Sequence, residues 1–163
     1  NQEICRPFEG GTYFTIYLSP ANYHRVHMPL DGRLTALSYI PGKLFSVNLN
    51  TAAHIGGLFS RNERACAFFD TPRGKMCVIL VGAMIVGSIE TVWKGEVNGG
   101  HGSTPFEETY EGPRSITLSR GAEMGRFKLG STVICLFENG MAEECAIAPG
   151  TAVKAGQKAA VLR

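Results

Sequence analysis

The chain has 163 residues, 44% of them hydrophobic and 18% charged, which excludes a disordered polymer and allows one domain with a substantial core. The formal net charge is +2, and no run of Lys or Arg is present, so we expect no nucleic-acid partner. The longest apolar stretch, residues 76–86, contains Gly82 and is too short for a membrane-spanning helix.

Short strand-like segments follow one another along the chain. Alternating or continuous apolar patterns predict strands over residues 12–18, 34–40, 65–69, 75–81, 84–93, 115–118 and 131–137. Residues 70–74 predict a hairpin loop between two of these strands, and the tail over residues 149–162 predicts a further hairpin. Helical signals are weaker, with a short helix predicted over 50–58 and a single turn over 20–24. Residues 98–113 are rich in Gly, Glu, Thr and Pro and predict a long mobile loop, with a lid as one interpretation. We therefore expect a mainly β (α+β) fold, a single compact β-rich domain with short helices that spans residues 1–163.

The cysteines show no pattern typical of a metal site or a disulfide framework. Their number is odd and no pair has the C-x-x-C spacing, so we expect reduced thiols, several of them in apolar strands. The five positions are Cys5, Cys66, Cys77, Cys135 and Cys145.

Two histidines, His24 and His27, lie in the segment Tyr-His-Arg-Val-His-Met-Pro. A spacing of three puts both imidazoles on one face of a helix or tight turn, whereas in a strand they would point to opposite faces. The residues alone leave three interpretations open: a surface pair, a metal site, or acid–base catalysis near neutral pH. A metal site would need a third ligand, and none stands at motif distance, so we expect no metal.

Gly130 directly precedes Ser131 and Thr132, and this order permits an unusual reaction. A serine hydroxyl can attack the carbonyl of the preceding residue, and a glycine leaves that carbonyl open because it has no Cβ. The resulting ester is eliminated once a base removes the serine α-proton, and the remaining dehydroalanine hydrolyses to a pyruvoyl group. A glycine before a serine in a strand also marks a simple bulge or close backbone approach.

Six blocks in chain order carry a resemblance to the phosphatidylserine decarboxylase family, of the bacterial, pyruvoyl-dependent type. They run from residue 17 to residue 132 and include both the histidine segment and the Gly130-Ser131 step. The blocks are Tyr17-Leu18-Ser19-Pro20, Tyr23-His24-Arg25-Val26-His27-Met28-Pro29, Gly42-x-Leu44-Phe45-Ser46-Val47-Asn48, Phe59-x-Arg61-Asn62-Glu63-Arg64, Val81-Gly82-Ala83 with Val86-Gly87-Ser88-Ile89, and Gly125-x-Phe127-x-Leu129-Gly130-Ser131-Thr132.

The resemblance implies an enzyme that cuts its own backbone between Gly130 and Ser131. It implies a β chain of residues 1–130, an α chain of residues 131–163, and a covalent pyruvoyl cofactor made from Ser131. In the family the second histidine of the motif, here His27, belongs to a Ser-His-Asp relay for self-cleavage, and the first, here His24, serves the substrate and decarboxylation. The relay aspartate has no counterpart in this sequence, since neither Asp31 nor Asp70 stands in the family's place. We therefore expect a fragment that lacks an N-terminal part.

The implied reaction converts phosphatidylserine into phosphatidylethanolamine and CO2, through a Schiff base between the pyruvoyl ketone and the substrate amine. The implied location is peripheral, on the cytoplasmic side of the cell membrane, with membrane contacts largely in the missing part. The α and β chains are expected to stay associated, and a homodimer is left open.

Three other functions remain alternatives at this stage. A relative acting on another serine-headed lipid, such as an archaeal ether lipid, shares the same motifs. A serine hydrolase using Ser131 and His27 lacks the Gly-x-Ser-x-Gly elbow. A biotinyl or lipoyl carrier would need a modified lysine, for which Lys154 near the predicted C-terminal hairpin is the only candidate.

Overall fold

The computed structural model describes residues 2–84, 88–97, 104–128 and 130–163. Strands dominate it, and this confirms the mainly β fold. The strands are β1 (Thr12–Leu18), β2 (Arg25–His27), β3 (Gly32–Ile40), β4 (Arg64–Thr71), β5 (Gly74–Val81), β6 (Ile89–Thr91), β7 (Gly95–Glu96), β8 (Phe106–Thr109), β9 (Ile116–Leu118), β10 (Glu123–Phe127), β11 (Ser131–Phe137), β12 (Ala142–Cys145) and β13 (Ala160–Leu162). The helices are α1 (Gln2–Cys5), α2 (Leu49–His54) and α3 (Leu58–Arg61), with 3-10 turns at Arg6–Phe8 and Gly112–Arg114.

The strands form two main antiparallel sheets. The larger sheet has seven strands in the order β1-β11-β5-β4-β3-β8, with β9 beside the other end of β3. The smaller sheet has the order β2-β10-β6-β7, and β12 pairs with β13 near the C-terminus. Within the described ranges, no helix has the length and hydrophobicity needed to cross a membrane.

The central strands of the larger sheet are covered on both faces, which explains why β4 is apolar almost throughout. One face of β5 contributes Met76, Val78 and Leu80 to the main core, and the other places Cys77 beneath α1 and the turn after it. There the Phe8 ring packs against Phe68, with centroids 6.3 Å apart. Both faces therefore exclude water from the middle of the sheet.

The buried cysteines lie within these strands as free thiols. Burial raises the pKa of Cys66 to about 11 and of Cys135 to about 12, and it also raises that of Cys77. All three therefore stay protonated at neutral pH. Cys5 and Cys145 are exposed free thiols.

Several predicted elements differ from the structure in extent. The strands predicted over 12–18 and 131–137 match β1 and β11, whereas only Ile89–Thr91 of the 84–93 prediction is a strand, and residues 85–87 lie outside the described ranges. The loop predicted over 98–113 contains β8, because Phe106–Thr109 pairs with β3, and its residues 98–103 are not described. The predicted helix over 50–58 divides into α2 and α3, because Gly57 adopts a positive φ of 65° between them.

One end of the larger sheet collects the segments that the sequence singled out. The register pairs Leu18 with Ser131, and Val81 with both Thr132 and Arg64. At this level β1, β3 and β5 end while β4 and β11 begin. The segments that leave or enter these strands therefore meet at one place, which we call the pocket end of the sheet.

Candidate active site

A small pocket opens at the pocket end, between three chain segments. Residues after β1, residues after β3 and residues after β5 form its walls, and Gly130 stands at its edge before β11. The lining residues are Tyr17, Pro20, Ser46, Val47, Ala83, Met84 and Gly130. Most of this lining is apolar, and Met84 is exposed at the rim.

Gly130 adopts a backbone conformation that other residues rarely use. Its φ is +41°, in the left-handed region, which costs an L-residue with a Cβ about 1–2 kcal/mol. A Cβ at this position would approach Pro20 Cγ to 3.4 Å, an ordinary contact. Glycine is therefore favoured here by the backbone angle rather than by lack of space.

Ser131 and Thr132 follow at the start of β11, and both are completely buried. Among the described residues neither hydroxyl has a hydrogen-bond partner. A buried polar group without a partner costs about 1–3 kcal/mol of stability, and such groups in native structures call for an explanation. An unbonded hydroxyl next to the carbonyl of residue 130 is the arrangement that self-cleavage requires.

His24 lies directly beside this step. The main-chain N–H of Gly130 donates a hydrogen bond to His24 Nε2 at 2.6 Å. Since that nitrogen accepts, the imidazole is neutral and carries its proton on Nδ1. The position is fixed from the other side as well, because Phe127 N–H donates to the His24 carbonyl at 3.1 Å and so extends the pairing of β2 with β10.

His27 occupies a separate place on the smaller sheet. Its Nδ1 donates to the Gly121 carbonyl at 2.8 Å, and in the neutral ring Nε2 accepts from the Tyr23 hydroxyl at 2.7 Å. The Tyr23 ring stacks on the imidazole with centroids 5.6 Å apart. The described contacts thus bring His24 to the Gly130-Ser131 step and leave His27 bonded to Tyr23 and Gly121.

The histidine segment is extended rather than helical, since Arg25–His27 forms β2. In the described parts of the chain, no group of three or more His, Cys, Asp or Glu side chains is placed to bind a metal. The aspartates considered in the sequence lie elsewhere. Asp31 accepts a hydrogen bond from Arg120 N–H, and Asp70 forms ion pairs with Arg33 and Lys75.

Sequence reasoning gave no role to Asn62, which is fully buried. Its side chain bonds to the backbone of Phe45 and of Gly82, the residues that lead into two walls of the pocket. No local signal marks it, because Asn62 stands between the polar residues Arg61 and Glu63 and its hydrogen-bond partners are distant in sequence.

The fold and site define a β-rich domain with a glycine–serine step held beside a histidine. The family model described as phosphatidylserine decarboxylase matches residues 1–161. The chain therefore belongs to the phosphatidylserine decarboxylase family, and the resemblance inferred from the six blocks is confirmed.

Curated relatives named phosphatidylserine decarboxylase proenzyme agree with this assignment. The Alteromonas mediterranea protein is 51% identical over 157 residues, which cover 95% of this chain and 48% of that protein. The Shewanella halifaxensis protein is 52% identical over 157 residues (94% and 55%), and that of Pseudoalteromonas atlantica is 49% identical over 162 residues (98% and 57%). The chain spans about half the length of the curated relatives it matches.

Proposed function

We propose that this chain is the catalytic core of a phosphatidylserine decarboxylase that cuts itself between Gly130 and Ser131. The pyruvoyl group formed from Ser131 then serves the conversion of phosphatidylserine into phosphatidylethanolamine and CO2. The observation that carries the proposal is the buried, unbonded hydroxyl of Ser131 directly after a glycine at φ +41°. Family membership supports the same reaction.

In the cleavage step the Ser131 Oγ attacks the carbonyl carbon of Gly130. The bond from that carbon to the Ser131 nitrogen breaks, the nitrogen takes up the hydroxyl proton, and an ester joins the two residues. Removal of the Ser131 α-proton then expels the Gly130 carboxylate from Cβ. Loss of ammonia by hydrolysis leaves a ketone at the new N-terminus.

His27 has the tautomer that a base in this step requires. The Gly121 carbonyl holds the proton on Nδ1, which leaves the lone pair on Nε2, as the acid of a catalytic triad does for its histidine. Nε2 is bonded to Tyr23, whose side chain is exposed and not confined by the core. The proposed relay role requires His27 to exchange Tyr23 for the Ser131 hydroxyl.

The residues present fit a pyruvoyl group. The group keeps the carbon skeleton of residue 131 and loses the hydroxyl, so the space that Ser131 fills is sufficient. Its formation also removes a buried polar atom that has no partner among the described residues. When present, the group supplies an electron sink for the carbanion formed as CO2 leaves.

His24 is the residue that we propose for proton transfer to the substrate carbon. Its Nε2 lies within hydrogen-bond distance of Gly130, one residue from the cofactor position. Cleavage makes Gly130 a chain end that is free to move, which removes its N–H from His24 Nε2 and opens the imidazole to the pocket. Nε2 can then take up a proton from solvent and transfer it to the substrate carbon. The apolar walls around Val47 and Ala83 limit the water that would compete for the same proton.

We further propose that the protein works at the cytoplasmic surface of the cell membrane, as a peripheral protein. The substrate is a bilayer lipid, so its headgroup must reach the pocket from a membrane surface. Met84 supports this location, since it lines the pocket and yet leaves 70% of its surface exposed to solvent. Exposed apolar side chains beside a lipid site favour contact with the bilayer.

Mass spectrometry and borohydride trapping test the function together. We expect two pieces that meet at residues 130 and 131, the second beginning with a keto group. Borohydride with phosphatidylserine should attach reduced substrate to residue 131. A serine hydrolase would give no reduced adduct, and a single uncut species without decarboxylation in the complete protein would refute the proposal.

A further inference from the structure

The pocket walls are irregular segments that lack the regular backbone hydrogen bonds of a helix or strand. Residues 44–48, which include the Ser46–Val47 wall, have no helix or strand, and residues 82–84 follow the last residue of β5. Backbone groups that lack strand partners need other hydrogen bonds once they are buried. Three of those bonds come from one side chain, that of Asn62.

Asn62 bonds to both backbone groups of Phe45. Its Oδ1 accepts from Phe45 N–H at 3.1 Å, and its Nδ2 donates to the Phe45 carbonyl at 2.8 Å. The carboxamide therefore pairs with Phe45 as a neighbouring strand residue would. This fixes the chain directly before Ser46 and Val47.

The same amide also reaches the opposite wall. Nδ2 donates a second hydrogen bond, 2.9 Å long, to the Gly82 carbonyl, one residue before Ala83. One carboxamide thus joins the segment after β3 to the segment after β5. The rigid, planar carboxamide of Asn62 therefore sets the distance between the two walls of the pocket.

The surrounding backbone keeps Asn62 itself in place. Lys43 donates to the Arg61 carbonyl and Glu63 donates to the Lys43 carbonyl, both at 2.8 Å, so the peptide units on each side of Asn62 are paired. Gly82 N–H also donates to the Glu63 carbonyl at 2.8 Å. Asn62 has no exposed surface, so water does not compete for its hydrogen bonds.

We infer that Asn62 is a positioning residue for the substrate pocket. It holds the Ser46–Val47 wall and the Ala83–Met84 wall at the separation that orients the serine headgroup. The inference rests on the proposed function. It concerns decarboxylation rather than self-cleavage, because Ser131 is positioned by the pairing of β11 with β1 and β5, in which Asn62 takes no part.

The test compares Asn62→Ala with Leu34→Ala in the complete protein. Leu34 is fully buried in β3 and does not line the pocket, so its truncation lowers stability without disturbing the walls. We expect Asn62→Ala to cut at Gly130 with a rate within twofold of wild type while kcat/KM falls at least tenfold, since misplaced binding groups reduce catalysis strongly. Leu34→Ala should change cleavage and kcat/KM by less than twofold.

Hydrogen exchange provides a readout that does not depend on activity. In Asn62→Ala, peptides covering residues 43–48 and 80–84 should exchange faster together, whereas those from β4 stay protected. If Asn62→Ala fails to fold, Asn62→Ser replaces it, because its hydroxyl keeps some hydrogen bonding but is too short to join both walls.

The outcomes separate this inference from the proposed function. A wild-type protein that neither cuts nor decarboxylates would refute the proposed function. The exchange data would still show whether Asn62 holds the two wall segments in place. Equal losses of cleavage and kcat/KM, or unchanged exchange in the two wall peptides, would overturn the inference. A fall of kcat/KM in Leu34→Ala as large as that in Asn62→Ala would also overturn the inference.

Discussion

The two ends of the seven-stranded sheet are built in opposite ways. At the end away from the pocket, β4 turns into β5 through a tight hairpin in which Thr71 pairs with Gly74. The Thr71 hydroxyl donates to the Gly74 carbonyl at 2.7 Å. Asp70 accepts from Arg33 at 2.6 Å and from Lys75 at 2.8 Å, so this hairpin end satisfies its polar groups with protein partners.

The pocket end leaves polar groups unsatisfied in the part of the chain that the structure describes. The hydroxyls of Ser131 and Thr132 are buried and unbonded, and Gly130 holds a left-handed backbone angle. Buried hydroxyls without partners lower stability, and their presence in a native structure calls for an explanation such as a catalytic role. The contrast supports the proposal that the pocket end is the reacting end, whereas the hairpin end mainly stabilises the domain.

The largest effect is expected from removing the proposed nucleophile, the Ser131 hydroxyl, at the pocket end. Ser131→Ala should abolish both cleavage and decarboxylation, because no hydroxyl remains to attack Gly130 and no pyruvoyl group can form. Intact-mass measurement should give one uncut species. Thr71→Ala is the matched control, since it removes a hydroxyl at the hairpin end and should leave processing at the wild-type rate. Activity that survived in Ser131→Ala would refute the pyruvoyl assignment.

The sequence was sufficient to predict the strands of the hairpin end and much of the rest of the fold. Alternation and turn residues located β1, β11 and the hairpin of β4 and β5, because these signals are local. β2 and β10 were not predicted, since each is short and β10 contains Gly125, so their pairing depends on contacts distant in sequence.

The site was predictable only in part, for a similar reason. Motifs selected Gly130, Ser131 and both histidines as candidate site residues, but they did not distinguish the surroundings of His24 from those of His27. That difference arises from β2 pairing with β10, which carries His27 to the Gly121 carbonyl and leaves His24 at Gly130. Asn62 went unassigned because its three hydrogen bonds connect segments that no local pattern relates.

The second effect concerns the base for the Ser131 hydroxyl. In the complete protein, His27→Ala should leave the chain uncut, because the imidazole Nε2 that would take the proton is gone. Tyr23→Phe is the companion variant. It removes the hydroxyl that bonds to Nε2, so we expect cleavage at least as fast as wild type on a denaturing gel. Normal processing of His27→Ala would exclude it from the relay.

A smaller effect should follow from adding a Cβ at Gly130. Gly130→Ala places an L-residue at φ +41° and should lower the free energy of unfolding by about 1–2 kcal/mol. Residue 130 would relax toward negative φ and move its carbonyl carbon away from the Ser131 hydroxyl, so cleavage should slow. Gly150→Ala introduces a comparable backbone penalty at φ +81°, with no atom within 4 Å of the new Cβ. Denaturant unfolding and cleavage time courses should show similar destabilisation in both variants but slower cutting only in Gly130→Ala.

The smallest effect is expected at the hairpin end, where Asp70→Asn removes a charge shared by two ion pairs. The three side chains are substantially exposed, with 37% of Asp70, 46% of Arg33 and 51% of Lys75 accessible to solvent. Solvent screens such pairs, so we expect a loss of about 0.2–1 kcal/mol for each in the free energy of unfolding. The loss should shrink in about 1 M salt, where the screening length falls to about 3 Å. Asp70→Asn should also cut at the wild-type rate, because the hairpin lies at the far end of β5 from the pocket. Slower cleavage in this variant would mean that the two ends of the sheet are coupled, and the division between a stabilising end and a reacting end would then be wrong.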